Sequence, residues 1–200
     1  MSRTLVVGDV HGCAEELAAL HAQAKPDRVL LLGDLFRKGP DPAGVWDLIA
    51  AWQASAVLGN HDAHILRAWR AGQPIPIPEA AARWLDARPL FVEGEGWLAV
   101  HAGLHPALGP AGTTRDMALN LRRWPDGAED SPNPFWWELY QGPPLVLYGH
   151  DARRGLVDRR PHSLGLDSGC VYGGSLSGFI PEEGRILSVP ARRVYRPVSD

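Results

Sequence analysis

The sequence predicts an α/β fold whose first seventy residues form parallel βαβ units, and three observations carry that expectation. Short apolar runs of strand length recur along the 200-residue chain: TLVV (4–7), RVLLL (28–32), SAVL (55–58), WLAV (97–100) and LVLY (145–148). Between the first three lie stretches with helical periodicity, the pattern of βαβ units with right-handed parallel crossovers. Each run also stops on residues able to bind a metal or a phosphate: Gly8-Asp9-Val10-His11-Gly12, Gly33-Asp34, Gly59-Asn60-His61-Asp62, His101-Ala102-Gly103 and Gly149-His150-Asp151. Residues just past a buried strand sit on loops at the edge of the sheet, where α/β proteins place their sites. Two aspartates, three histidines and an asparagine are therefore expected along one sheet edge, carried by five strands.

The elements follow in order. Ala14 to Ala24 reads as a helix because Leu17, Leu20, His21 and Ala24 recur at helical spacing, and Pro26 stops it. A Gly39-Pro40-Asp41-Pro42 turn leads to a second helix with Val45, Leu48, Ile49 and Trp52 on one face. A third runs from Asn60 through Ile65, Leu66 and Trp69 to Gly72. QPIPIP (73–78) cannot continue a helix and is expected to cross the surface, followed by a short helix over 79–87. Beyond His105 the sequence suggests a helix near Thr113-Thr114, with Thr113 and Asp116 as a capping box, then a Pro/Gly/Asp-rich loop and a Trp-rich helix. Trp136, Trp137 and Tyr140 have the spacing of core residues. The segments LGLD, SLSGFI, RILSV and RRVYRPV read as short strands and turns near the C-terminus. One domain spanning 1–200 is expected, with stretches 72–90 and 105–135 as insertions that shape a substrate site.

Bulk numbers exclude several classes of function. Apolar content of 45% and charged content of 22% are those of a soluble globular chain. A net charge of −3 leaves no basic footprint for duplex nucleic acid. The first strand begins by Thr4, and no apolar run approaches membrane-spanning length. Cys13 and Cys170 show no metal spacing and read as small buried residues, so a reducing, cytoplasmic setting is expected.

The residue types at the strand ends suit hydrolysis of a phosphate ester or anhydride. Such a centre must neutralise oxygen charge and supply an activated water near pH 7, and two divalent ions about 3.5–4 Å apart do both. A carboxylate must be shared between the ions, and Asp34 is the choice. Asp9 and His11, two apart on one loop, can reach one ion; Asn60, His101 and His150 can serve the other. Mixed oxygen and imidazole donors suit manganese, iron, zinc or cobalt better than calcium. His61, next to Asn60, is placed to protonate the leaving oxygen. The glycines Gly12, Gly33, Gly59, Gly103 and Gly149 are expected to let the backbone turn sharply and approach substrate.

Taken together, Gly-Asp-Val-His-Gly (8–12), Gly-Asp-Leu-Phe-Arg-Lys-Gly (33–39), Gly-Asn-His-Asp (59–62), His-Ala-Gly-Leu (101–104) and Gly-His (149–150) resemble the calcineurin-like metallophosphoesterases. Within them the chain resembles the phosphoprotein phosphatase branch, and above all its diadenosine tetraphosphatases and their ApaH-like relatives. The similarity runs from about residue 4 to 180 and includes the GHDARRGL (149–156) and GLDSGCVYGG (165–174) stretches. It implies a four-layer αββα sandwich. It also implies one metal on Asp9, His11 and Asp34, a second on Asp34, Asn60, His101 and His150, and His61 as the acid.

Two departures from that branch bear on substrate. Protein phosphatases have Asp-Arg where this chain has Arg37-Lys38, so Lys38 inherits phosphate binding as a point charge rather than a planar fork. The chain has 18 arginines and only two lysines, Lys25 and Lys38, which makes Lys38 look selected for its place. The missing Asp is the group that orients the acid histidine, and a weakened acid favours anhydrides, whose leaving phosphate is stable as an anion. The resemblance further suggests Arg122, Arg153 and Tyr172 as substrate-phosphate contacts near the mouth. The expected activity is hydrolysis of dinucleoside polyphosphates such as diadenosine tetraphosphate by in-line attack of a metal-bridging hydroxide, without a covalent enzyme intermediate. Manganese is the expected metal pair, with zinc, iron or cobalt as alternatives. A serine/threonine or tyrosine protein phosphatase with a phosphoprotein partner is the rival reading, and a non-catalytic module that keeps the fold is the third.

Overall fold

A computed structural model describes residues 2–125, 127 and 130–197 of the chain. Met1 and residues 198–200 of the expected 1–200 domain lie outside the described residues. So do Asp126, Ala128 and Glu129 of the 105–135 stretch and Val198 of RRVYRPV.

The first seventy residues fold as their pattern dictates. Strand β1 (Thr4–Val7), helix α1 (Ala14–Ala24), β2 (Arg28–Leu31), α2 (Pro42–Trp52), β3 (Ser55–Ala56) and α3 (Asn60–Arg70) follow one another. β1 pairs in parallel with β2, and β2 with β3. α1 buries Leu17, Leu20 and Ala24 and ends where Lys25 turns left-handed to bond the His21 carbonyl. α2 starts on Asp41, whose carboxylate accepts from Gly44 N, with Pro42 in the first turn.

After the short α4 (Glu79–Asp86), a hairpin of β4 (Phe91–Gly94) and β5 (Trp97–Val100) opens a second sheet. The rest of the chain forms α5 (Arg115–Asn120), α6 (Trp136–Leu139), β6 (Leu145–Tyr148), β7 (Val157–Arg159), β8 (Ser163–Gly165), β9 (Ser175–Ile180) and β10 (Arg185–Pro190). Thr114, not Thr113, caps α5, accepting from Met117 N. Thr113 instead accepts from His105 N and donates to the Gly109 carbonyl. Residues 192–197 form no strand; they fold back on α1, where Arg192 N and the Tyr195 hydroxyl bond Glu16. Among the described residues no helix is long and apolar enough to cross a membrane.

The strands make two sheets, ordered β10-β9-β1-β2-β3 and β4-β5-β6-β8-β7. The five site-bearing loops therefore leave two sheets, three from the first and two from the second, rather than one edge. Side-chain alternation shows how the layers stack. Val6, Leu30, Leu32 and Val57 of the first sheet meet Ala99, Leu147 and Leu164 of the second in a layer between them. Their neighbours Leu5, Val7, Val29 and Leu31 face α1 and α2. Leu98, Val100, Val146 and Tyr148 face Trp136 and Tyr140 on the far side. The result is an αββα sandwich, with sheets buried on both faces, and it explains the continuous apolar runs that marked these strands.

Candidate metal centre

Backbone hydrogen bonds draw the strand-end loops together before any side chain is considered. His11 N bonds the Asp34 carbonyl at 2.8 Å, and Gly149 N bonds the His101 carbonyl at 2.8 Å. Two bonds then cross between the sheets: His150 N donates to Asp9 Oδ1 at 3.0 Å, and His101 Nδ1 meets the Leu32 carbonyl at 2.7 Å. Two of the expected glycines serve this closure. A Cβ at Gly149 would collide with the Asp9 carboxylate, and one at Gly33 would lie 2.7 Å from Gly59 Cα, besides straining a φ of +93°.

The backbone is also strained at this place. Among the described residues six non-glycine residues have positive φ, and two of them, Lys25 and Gln53, simply end helices. The other four are His11 (47°), Asp34 (53°), Lys38 (76°) and His150 (71°). Left-handed non-glycine residues cost about 1–2 kcal/mol each and gather where function holds them.

All six expected metal ligands come together. Asp34 sits at the centre, with Oδ2 3.6 Å from His11 Nε2 and Oδ1 3.5 Å from His101 Nε2. Asp9 Oδ2 is 4.0 Å from His11 Nε2, and Asn60 Oδ1 is 3.2 Å from His101 Nε2. The His150 and His101 rings are 5.0 Å apart. Asp9, His11, Asp34, His101 and His150 are all buried. The grouping differs in one respect from the expected division between two ions. By distance, Asp34 gathers His11 and His61 on one side and Asp9 and His101 on the other, so Asp9 lies between both halves.

The donors fit divalent cations. Asp9 Oδ2 and His150 Nε2 are buried without any hydrogen-bond partner, a costly state unless a cation meets them. The Leu32 carbonyl takes the Nδ1 proton of His101 and leaves Nε2 free to ligate. Burial pushes the Asp34 carboxyl up to about 7. It also raises Asp9, with the charges of Asp167 and Asp34 adding to the effect. Burial takes His101 down to about 4 and lowers His11 and His150 as well, so all three are neutral imidazoles at pH 7.

His61 lies at the rim, its Nε2 3.9 Å from Asp34 Oδ2 and its side chain 25% exposed. Burial first, then the charges of Lys38 and Arg37, take it down to about 3. Asp62 does not orient it: both of its oxygens are used by backbone N–H groups, of Leu35 at 3.0 Å and Gly59 at 3.3 Å. Lys38 reaches the centre, its Nζ 3.3 Å from His11 Nε2 and 5.4 Å from the middle of the Tyr172 ring.

A cleft of about 380 Å³ opens over these groups, and Lys38, Arg122, Arg153 and Tyr172 all line it. Arg122 also supports the wall, donating to the His150 carbonyl at 3.3 Å and approaching Asp151 at 3.8 Å. Among the described residues no lining residue comes from 72–90, and Arg122 alone comes from 105–135. Ile77, Ala81, Ala82 and Leu85 of the former pack into the core beside the first sheet. His105 and His162 stand apart: His105 Nδ1 accepts from Ala107 N and Leu108 N, and His162 Nδ1 meets the Gly142 carbonyl.

Sequence reasoning missed Asp167, which is buried, lines the cleft, accepts from Gly169 N at 3.1 Å and is pushed up to about 6, chiefly by burial. Its signal was present, since Leu164-Gly165-Leu166 ends on Asp167 as the other apolar runs end on their ligands.

Comparison with known proteins agrees with this geometry. The calcineurin-like phosphoesterase family profile matches residues 2–179. The symmetrical bis(5'-nucleosyl)-tetraphosphatase of Vibrio campbellii is 26% identical over 268 aligned positions, covering 94% of this chain and 98% of that protein. The enzyme of the same name from Ralstonia nicotianae is 29% identical, covering 96% and 95%. A solved structure provisionally assigned as a diadenosine tetraphosphatase is 34% identical, covers 95% of this chain and 94% of its own, and superposes with a TM-score of 0.87. This chain belongs to the calcineurin-like phosphoesterases and is a hydrolase of phosphoric esters or anhydrides that works with a pair of divalent metal ions.

Proposed function

We propose that the protein hydrolyses dinucleoside polyphosphates, diadenosine tetraphosphate foremost. One water enters, the central P–O–P bond breaks, and two molecules of ADP leave. The observation that carries this reading is the setting of His61, a rim side chain 25% exposed whose ring lies 3.9 Å from Asp34 Oδ2 without a hydrogen bond to it. Held near 3 by burial, Lys38 and Arg37, it is a neutral imidazole in the substrate-free protein at pH 7. No carboxylate is hydrogen-bonded to its ring among the described residues. A neutral imidazole is a poor proton donor, and a serine alkoxide cannot leave without a proton. A nucleoside diphosphate leaves as a stable anion and needs only a hydrogen bond. The names of the Vibrio and Ralstonia relatives support the same substrate and its symmetrical cleavage.

Asp9, His11, Asp34, Asn60, His101 and His150 are the proposed ligands of the ion pair, with manganese as the resident metal. When bound, the ions supply an activated water and neutralise phosphoryl oxygen charge. Lys38 grips a phosphoryl oxygen, and Arg122, on the 105–135 segment that shapes the cleft, holds another while fixing the His150 loop. Arg153 and Tyr172 contact the chain of phosphates at the mouth. His61 donates a hydrogen bond to the departing oxygen, and the incoming phosphate charge raises its basicity as the bond breaks. The free cysteines, both buried, agree with a cytoplasmic setting.

The deciding experiment compares turnover of diadenosine tetraphosphate with that of a phosphoserine peptide at equal manganese, with products separated chromatographically. Tetraphosphate cleaved faster, with ADP as the sole nucleotide product, is the expected result. Equal or faster peptide cleavage would return the protein to the phosphatase reading, and ATP with AMP would refute symmetrical attack.

A further inference from the structure

Behind the phosphate cleft, the fold brings the chain's only two cysteines together. Cys13 lies just before α1, two residues after His11; Cys170 lies on a short turn, two residues before Tyr172. Their sulfurs and a carboxylate oxygen of Glu16 lie within 4.8 Å of one another. Cys13 is 0%, Cys170 2% and Glu16 1% exposed. Spacing of 13 and 170 in the sequence gave no hint of a shared site, because the contact depends on β1 and β9 lying side by side in the first sheet.

Glu16 supplies a second, independent observation. Its Oε1 accepts from Arg192 N at 3.0 Å and from the Tyr195 hydroxyl at 2.6 Å. Its Oε2 is buried and has no hydrogen-bond partner. A buried carboxylate oxygen left unmet is destabilising, and the carboxylate that carries it lies beside a pair of soft sulfur donors.

We propose that Cys13, Cys170 and Glu16 form a third metal site, separate from the dinuclear centre, for a thiophilic divalent cation such as zinc. Two sulfurs and one oxygen suit zinc or its cadmium analogue, whereas the oxygen and imidazole donors of the cleft suit manganese. On binding, each thiol loses its proton to solvent and each sulfur gives a lone pair to the cation. The fourth position falls to a water or to the His11 carbonyl, 3.9 Å from Cys13 Sγ. The cation would staple the start of α1, the 170–172 turn and, through Glu16, the 192–195 segment, which together back the wall that carries His11 and Tyr172. The site does not depend on which phosphate substrate the cleft takes.

Cadmium titration of the full chain, stripped of metal and reloaded with manganese, tests this. With only two cysteines present, sulfur-to-cadmium charge-transfer absorption can arise nowhere else. One equivalent of cadmium producing that band, displaced by zinc, is the expected result. The Cys13→Ser/Cys170→Ser protein should lose the band. Glu16→Gln, which keeps an acceptor for Tyr195, should weaken binding by more than the roughly 10–100-fold that loss of an outer-sphere partner costs. Should the double variant fail to fold, Glu16→Gln alone decides. No band on a protein with two free thiols, a band indifferent to Glu16→Gln, or a Cys13–Cys170 disulfide in the freshly isolated protein would each overturn the proposal.

Discussion

Replacing His61 by Asn should damage the enzyme very unevenly across substrates. Taken down to about 3 by burial and by the charges of Lys38 and Arg37, His61 favours its neutral form at pH 7. Bound divalent cations would press it further the same way, with the Asp34 carboxylate 3.9 Å away and the phosphate charge of the substrate opposing them. A proton donor at a leaving oxygen contributes about 10²–10⁴-fold where the leaving group demands it. An alkyl phosphate makes that demand, so the slow hydrolysis that the minor protonated form of His61 supports should fall by up to about that factor in His61→Asn. For diadenosine tetraphosphate only a hydrogen bond is lost, about 1 kcal/mol, or roughly a fivefold decrease. The assay is kcat on both substrates under saturating manganese. Metal content must be measured in parallel, because His61 Nε2 lies 3.9 Å from Asp34 Oδ2 and the variant could lose an ion. Equal proportional losses on the two substrates, with two ions retained, would refute the argument that the tetraphosphate leaves without a full proton transfer.

Asn60→Ala should lower turnover by more than about 100-fold, beyond the effect of an outer-sphere change, with an unchanged circular dichroism spectrum; near-wild-type activity would remove Asn60 from the centre. Asp62→Ala strands the N–H groups of Leu35 and Gly59, so urea denaturation should show a loss of about 2–5 kcal/mol, whereas a loss below 1 kcal/mol would mean water replaces the carboxylate. Manganese affinity should weaken as pH falls through about 7, because the Asp34 carboxyl is raised to that range and must shed its proton to ligate. Calorimetry in buffers of different ionisation enthalpy would register the released proton, and a pH-independent affinity between 6 and 8 would contradict it.

The site was more legible in the sequence than the fold that builds it. TLVV, RVLLL, SAVL, WLAV and LVLY each became strand, or strand and the residues just after it, and each brought its proposed ligand to one cluster. Nothing in an apolar run says which sheet it joins, however. Leu98 and Leu147 are equally apolar, yet one faces α6 and the other the first sheet. The two-sheet arrangement thus came from family resemblance, and pattern reasoning alone placed every loop on one edge. β4 escaped because Phe91-Val92-Glu93-Gly94 is short and mixed, and β7 because Val157-Asp158-Arg159 is a half-exposed edge. The cap of α5 went to Thr114 because the turn at 105–113 claimed the hydroxyl of Thr113 first. Cys13 and Cys170 looked inert because their meeting is a product of tertiary structure alone.

Why two sheets serve this chemistry follows from where the strain sits. His11, Asp34, Lys38 and His150 hold backbone angles that an isolated loop would abandon, at a combined cost of about 4–8 kcal/mol. The layer of Val6, Leu30, Ala99 and Leu147 keeps the two sheets in a fixed relation, and close packing of this kind resists gradual deformation. Asp9 bonds His150, which holds one of those angles, and Leu32 bonds His101 across the same gap. Carboxylates and imidazoles that would relax apart in a flexible site are held together by the core, and the unmet buried atoms of Asp9 and His150 suit them to the proposed pair of divalent ions. A single sheet edge would present its ligands in a row; two facing edges present them around a point, as a metal pair requires.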